Sequence, residues 1–233
     1  MLDLSQFKIL TFDCYGTLID WESGILGALN AALAAHNRNI PTQELLVAYA
    51  EIEPQIQSEG YLVYREVLAE VMRRLGKRFN VAFTADEVAS LAESIRDWQP
   101  YPDTVTALRR LKPRYKLAII SNIDDDLFAH SAKKLAVPFD FVITAQQVGS
   151  YKPSLKNFEV ALERIALPKG QILHVAESVY HDVIPASSLG LKTVWVDRKQ
   201  QTGQKASKVA SGRPDLIVTT LSELADAQGE RRG

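Results

Sequence analysis

The stretch from Lys8 to Thr17, KILTFDCYGT, constrains the fold of this chain more than any other. Its residues Ile9 to Phe12 are apolar or β-branched without alternation. That is the pattern of a strand covered on both faces, as in a parallel sheet sandwiched between helices. The strand ends in a carboxylate, Asp13. In open α/β sheets ligands bind in the crevice outside the carboxyl ends of the strands, so Asp13 stands where chemistry is expected. Gly16 then permits a tight turn or a close approach of backbone to ligand.

The remaining chain divides by periodicity. From about Ser23 to Arg96 no convincing strand occurs, and three apolar sets fall on helix faces: Ile25, Leu26, Leu29 and Leu33; Leu45, Leu46, Tyr49 and Ile52; Val63, Val67, Leu68, Val71, Met72 and Leu75. Gly60 and Gly76 mark breaks between these helices, and Thr84, Asp86 and Glu87 read as a helix start with acids in the first turn. From Tyr101 onward strands alternate with helices. Pro102 opens a helix through Thr104, Val105, Leu108 and Leu111 that Pro113 stops. Strands follow at Lys116 to Ile120, Phe141 to Thr144, Ile172 to Val175, Thr193 to Val196 and Leu216 to Val218. This predicts an α/β protein with a doubly wound parallel sheet and an all-helical block between its first two strands.

Composition narrows the function. Apolar residues make up 46% of the 233, enough for a packed globule, and 27 basic against 28 acidic residues leave no electrostatic footprint of a nucleic-acid binder. A small molecule is the simpler partner. Cys14 is the only cysteine, which excludes an internal disulfide and a cysteine-cluster metal site and fits a reducing compartment. Beside Asp13 it reads as a small buried filler rather than a catalytic thiol. The start MLDLSQFKIL lacks the features of a signal peptide, and no stretch reaches roughly 18 apolar residues, so a cytoplasmic protein without a membrane partner is expected. The polar segment Lys199 to Pro214 reads as a mobile surface loop.

The spacing around Asp13 resembles the first motif of the haloacid dehalogenase-like hydrolase superfamily, whose nucleophilic aspartate takes the place of Asp13. Its phosphatases carry a second aspartate two residues on, to protonate the leaving group; here that place is Tyr15. D-x-Y-G-T instead resembles the branch of the L-2-haloacid dehalogenases. The exchange is chemically sensible, because halide leaves unaided whereas an alkoxide benefits from a proton donor. A phenol of pKa about 10 suits a pocket wall better than acid catalysis.

The resemblance implies a Rossmann-like core of residues 1–18 and 99–228, a helical cap of residues 19–98 that closes over the strand ends and excludes bulk water, and a flexible tail 229–233. It further implies that Asp13 forms an aspartyl ester, that Thr17, Ser121 and Asn122 hold the nucleophile or the substrate carboxylate, and that Lys152 is the motif lysine. A cation there keeps Asp13 ionised and offsets repulsion with an anionic substrate. Tyr15 shapes the substrate pocket, and Arg65 is the nearest counterpart of the branch's cap arginine, although it also reads as a solvated helix arginine. Where the best-studied subtype has a tyrosine six residues after the lysine, this chain has Phe158. Trp21 and Trp98 either line the cleft or pack the hinge.

The last motif, VAESVYHDV from Val175 to Val183, stands where phosphatases of the superfamily read GDSxxxD. Three readings of it stay open. Asp182 or Glu177 activates the water that attacks the ester; or Asp13, Glu177 and Asp182 ligate magnesium; or Asp182 braces Lys152 by an ion pair. His181 is a secondary candidate for substrate contact or proton shuttling. The expected activity is hydrolysis of a small 2-haloalkanoic acid to a 2-hydroxy acid with no cofactor required, in the manner of an (S)-2-haloacid dehalogenase. The alternative is a magnesium-dependent small-molecule phosphatase. A homodimer is plausible for this branch.

Overall fold

The computed structural model describes residues 2–198 and 213–227. Most of the expected loop 199–214 and the whole tail 229–233 lie outside these described residues. Six strands form one sheet in the order β3-β2-β1-β4-β5-β6: β1 (Ile9–Phe12), β2 (Lys116–Ser121), β3 (Phe141–Thr144), β4 (Ile172–Ala176), β5 (Lys192–Val196) and β6 (Leu216–Val218). Every neighbouring pair is parallel. Each strand lies within a residue or so of the run that announced it, because a strand buried on both faces needs an unbroken apolar run. β1 and β4 are buried at every position. Each wholly buried Ile, Leu or Phe there contributes about 1.5–3 kcal/mol.

The helices that cover the sheet are α5 (Thr104–Leu111), α6 (Asp125–Leu135), the one-turn α7 (Ala145–Val148), α8 (Leu155–Ile165), α9 (Ile184–Ser188) and α10 (Leu221–Ala227). Between β1 and α5 the chain makes four helices that pack on one another: α1 (Trp21–Ala35), α2 (Thr42–Glu59), α3 (Tyr64–Phe79) and α4 (Ala85–Ser94). α4 starts on a full capping box, Thr84 with Glu87, as its sequence predicts. Gly60 ends α2 at a φ of 148°.

Gly76 departs from expectation: it lies inside α3 rather than at a break. Its role is close approach. The chain turns at Asn80, in the left-handed region, and Val81 N–H donates back to the Gly76 carbonyl at 2.8 Å. A Cβ on Gly76 would stand 2.7 Å from the Val81 oxygen.

Two seams join insert and sheet. At the crossing segments, Asp20 N–H bonds Gln99 and Tyr101 N–H bonds Leu18, and Gly24 of α1 lies against the Trp98 ring so closely that a Cβ would come within 2.4 Å of it. Trp98 is thereby packing at the hinge, edge-on to Tyr15 at 5.8 Å. At the far side the buried Asp124, just after β2, accepts from the backbone N–H groups of Tyr64 and Arg65 at 2.8 and 2.9 Å. This caps α3, whose own flanking residue Val63 has no side-chain oxygen to offer. Tyr151 Oη donates to Leu62 O and Tyr61 Oη to Ala145 O across the same seam.

Candidate active site

The carboxyl ends of β1, β2 and β4 bring Asp13, Ser121 and the loop after Ala176 together, because β1 pairs with both β2 and β4. Lys152 reaches the same point from the segment between α7 and α8, and its side chain is 2% exposed. It donates to Asp13 Oδ1 at 2.9 Å, to Asp182 Oδ1 at 2.6 Å and to the Ile120 carbonyl at 2.9 Å. An ammonium has three protons, so this set saturates it. Asp13 Oδ2 accepts from Thr17 Oγ1 at 2.8 Å, and Thr17 Oγ1 in turn accepts from Glu177 N–H at 2.9 Å. Gly16 makes this turn possible at a φ of 97°, and a Cβ there would meet the Trp21 indole at 3.1 Å.

Electrostatics separate the two carboxyls. Burial pushes Asp13 up, the Asp182 charge adds to it, and Lys152 and Thr17 recover only part, so Asp13 stands above the usual aspartate value. Burial pushes Asp182 up as well, but Lys152 and a hydrogen bond from His174 outweigh it and hold Asp182 below the ordinary value. Lys152 loses by burial and gains more from the two aspartates, so it remains a cation. Two buried carboxylates and one ammonium leave one excess negative charge when all are ionised, and Asp13 bears its cost.

Behind this trio stand residues that the sequence reading missed. His174 Nε2 lies 3.0 Å from Asp182 Oδ1, and its Nδ1 lies 2.9 Å from Thr11 Oγ1. An ionised Asp182 only accepts, so Nε2 carries the proton. Thr11 and His174 are directly paired in the β1–β4 register and wholly enclosed. Two polar residues at matching depth in strands that are otherwise apolar were the available signal. Phe158 packs edge-on against His174 at 5.2 Å. Arg198, 3% exposed, donates through Nη2 to the Thr17 carbonyl at 2.9 Å and through Nη1 to Asp103 at 2.7 Å, and lies 4.4 Å over the Tyr101 ring. It anchors the backbone of the Asp13 loop from below.

The other expected residues divide. Ser121 Oγ is buried beside this cluster without a hydrogen-bond partner, as is Asp182 Oδ2. Asn122 spends its side chain on the backbone of Lys152, accepting from its N–H at 2.7 Å and donating to its carbonyl at 3.0 Å. Tyr15 Oη meets Ser131 Oγ at 2.9 Å, and burial pushes its phenol well up, so it keeps its proton. The Arg65 guanidinium bonds Glu93 and Asp126 and is 38% exposed, on the outer surface rather than with Asp13. His181 pairs with Ser178. Cys14 is fully buried and its thiol is pushed up, first by burial and then by Asp13, so it is not a thiolate.

Lys152 Nζ stands between Asp13 and Asp182, and among the described residues no three His, Cys, Asp or Glu side chains are grouped to hold a metal ion. Of the three readings of the last motif, the ion-pair brace of Lys152 is present in the geometry.

Comparison with known proteins places this geometry in context. The sequence model of haloacid dehalogenase-like hydrolases matches residues 7–190. An (S)-2-haloacid dehalogenase of Pseudomonas sp. (strain YL) is 24% identical over 230 residues, covering 96% of this chain and 95% of that protein. A glyceraldehyde 3-phosphate phosphatase of Methanothermobacter thermautotrophicus is 24% identical over 188 residues, covering 74% and 83%. Among solved structures, the L-2-haloacid dehalogenase of Xanthobacter autotrophicus with chloropropionic acid covalently bound superposes with a TM-score of 0.80 at 18% identity, covering 97% and 100%. At that identity the likeness is one of fold. Among the described residues no helix is long and apolar enough to cross a membrane.

Proposed function

The chain belongs to the haloacid dehalogenase-like hydrolase family, and from that premise we propose that it hydrolyses a small 2-haloalkanoic acid through an ester on Asp13. The observation that carries the reading is the Asp13 carboxylate itself: held on one oxygen by Lys152 and on the other by Thr17, with a proton-retaining tyrosine, Tyr15, where a leaving-group acid would stand. The (S)-2-haloacid dehalogenase relatives support the choice of substrate.

In the first step an Asp13 oxygen attacks the α-carbon opposite the carbon–halogen bond, whose electron pair leaves with the halide. Ser121 Oγ, buried and unpartnered, takes the substrate carboxylate, and Lys152 balances the added negative charge. Halide departure needs no proton, so Tyr15 serves as wall. The substrate dehydrates the chamber and removes the shell that would blunt a carboxylate nucleophile.

In the second step water gives a proton to Asp182 Oδ2, the unpartnered oxygen of a carboxylate kept ionised by Lys152 and His174, and adds to the ester carbonyl. Collapse breaks the bond to the ester oxygen, which takes the proton of the added hydroxyl; the 2-hydroxy acid leaves with inverted configuration, Asp13 is restored as carboxylate, and Asp182 sheds its proton to solvent. Glu177, whose N–H bonds Thr17, is the competing base. Asn122 acts by fixing the backbone from which Lys152 extends, and α1–α4 form the cap.

The test is chloride release from each enantiomer of 2-chloropropionate with a chelator present, run beside phosphate release from a generic phosphate ester with magnesium. Chelator-insensitive chloride release is expected, and one turnover in heavy-oxygen water should label the peptide containing Asp13. Ester accumulation in Glu177→Gln would move the base to Glu177. Chelator-sensitive phosphate release without chloride would overturn the proposal in favour of a phosphatase.

A further inference from the structure

Resting on that reading, the structure points to the kind of substrate the chamber selects. The cap helix α2 places Tyr49 and Glu53 one turn apart. Tyr49 Oη meets Tyr64 Oη at 3.2 Å, and Gln57 Nε2 donates to Glu53 Oε1 at 2.6 Å. On one side Tyr49 packs on Trp21 at 5.7 Å, and Trp21 abuts Gly16 of the Asp13 loop. On the other, Tyr64 packs at 6.2 Å on Tyr151, the residue before Lys152. Tyr49 and Tyr64 therefore bridge the two loops that carry the nucleophile and its cation, and Glu53 lies against these phenols.

This roof has an unusual charge balance. The groups facing Glu53 are Tyr49 and Gln57 from its own helix, Tyr64 from α3 and Tyr151 from the core loop, all neutral. Four arginines of α3 are engaged with other carboxylates: Arg65 with Glu93 and Asp126, Arg73 with Glu70, Arg74 with Glu59 and Glu70, Arg78 with Glu51. Glu53 is part-buried and bonded only by neutral groups, Gln57 and Tyr64, so its carboxylate oxygens keep acceptor capacity that a ligand can use. The floor already offers the substrate carboxylate a place at Ser121, so what meets the roof is the part of the substrate beyond its reacting carbon.

We propose that Glu53, framed by Tyr49, Tyr64 and Tyr151, is the specificity-determining residue of the cap, accepting a hydrogen bond from a hydroxyl or ammonium group on the substrate's third carbon. A site built around such a partner rejects an analogue lacking it, because its own polar groups are then left unpaired. Burial first, against the pull of Tyr64 and Gln57, raises Glu53 to about 7, so it accepts best above neutrality.

The experiment compares chloride release from 2-chlorobutyrate, 2-chloro-3-hydroxypropionate and 2-chloro-3-aminopropionate, which share one size and differ in the group at carbon three. The wild-type protein should favour the hydroxyl or amino substrate over the methyl one by about tenfold or more in kcat/KM. The ratio should grow as pH rises through about 7. Glu53→Leu should erase the ratio while still turning over 2-chlorobutyrate. Glu53→Gln, which keeps an acceptor, should retain the hydroxyl preference and lose its pH dependence; it serves as the deciding variant if Glu53→Leu does not fold. Equal rates on all three substrates, or a pH-dependent preference surviving in Glu53→Gln, would overturn this inference and leave the aspartyl-ester reading intact. Absence of chloride from every substrate, with phosphate release in its place, would remove both.

Discussion

The Asp13–Lys152–Asp182 cluster, floor of the proposed site, and Glu53, its proposed roof, solve opposite problems. On the floor every charge has a partner: Lys152 is saturated by Asp13, Asp182 and the Ile120 carbonyl, and Asp182 is further held by His174. On the roof a carboxyl, Glu53, sits among phenols and an amide. An ionic network built around one ammonium fixes a nucleophile in place and keeps Asp182 Oδ2 and Ser121 Oγ for the reacting partners, whereas a carboxyl bonded only by neutral groups keeps acceptor capacity for a ligand. The first is chemistry that any member of the family needs; the second is where a particular substrate leaves its mark.

The largest way to break this contrast is Lys152→Met. It strands two buried carboxylates, and the expected loss is about 3–5 kcal/mol in denaturant unfolding, together with all turnover. Undiminished stability would mean that the floor is not held by the ion pairs described. Next comes Gly24→Ala, whose Cβ would fall within 2.4 Å of Trp98 and drive roof and floor apart at the hinge. A cost of about 1–3 kcal/mol is expected in a thermal melt, with KM raised more than kcat lowered.

Glu53→Gln sharpens the contrast through pH. A carboxyl raised on folding from 4.5 to about 7 contributes stability that is fully present below 4.5 and lost as pH rises through about 7. The variant should therefore gain over the wild type above pH 7, by about 2 kcal/mol once part exposure is discounted, and the gain should vanish in acid. Asp182 behaves in the reverse sense. Its lowered value gives stability above the ordinary aspartate range that is lost as pH falls through that lowered value, so Asp182→Asn should remove acid sensitivity. A flat difference between Glu53→Gln and wild type across pH would place the roof carboxyl in solvent. The smallest effect is expected for Asp124→Ala, about 1 kcal/mol for the lost cap on α3, read as faster hydrogen exchange at Tyr64 and Arg65.

Floor and roof also differ in how far the sequence revealed them. Asp13, Lys152 and Asp182 each follow a strand or a turn in a fixed order, and the unbroken apolar runs placed the strands that bring them together. His174 and Thr11 were visible as polar residues in those runs, but their meeting depends on register, which one strand does not disclose. Asn122 and Arg65 have the right chemistry and different partners, since a side chain's bonds are decided by what the fold sets beside it. Gly76 looked like a helix break because a close backbone approach leaves the same mark as a turn. Glu53 was hidden for a deeper reason. A helix that lines a chamber has two inward faces, one against its own bundle and one against the ligand. Periodicity registers only the apolar one, and Tyr49 was accordingly read with Leu45 and Ile52 as packing.

If the proposed cap opens, the hold of Asp124 on α3 ties access to local melting. An outward swing would withdraw both carboxylate oxygens from the N–H groups of Tyr64 and Arg65 and leave the first turn of that helix to fray. The phenol of Tyr64, which stands beside Glu53, belongs to that turn. Entry of a molecule and loss of shape in the surface proposed to recognise it would then be one event, with selection exercised only after the door has shut.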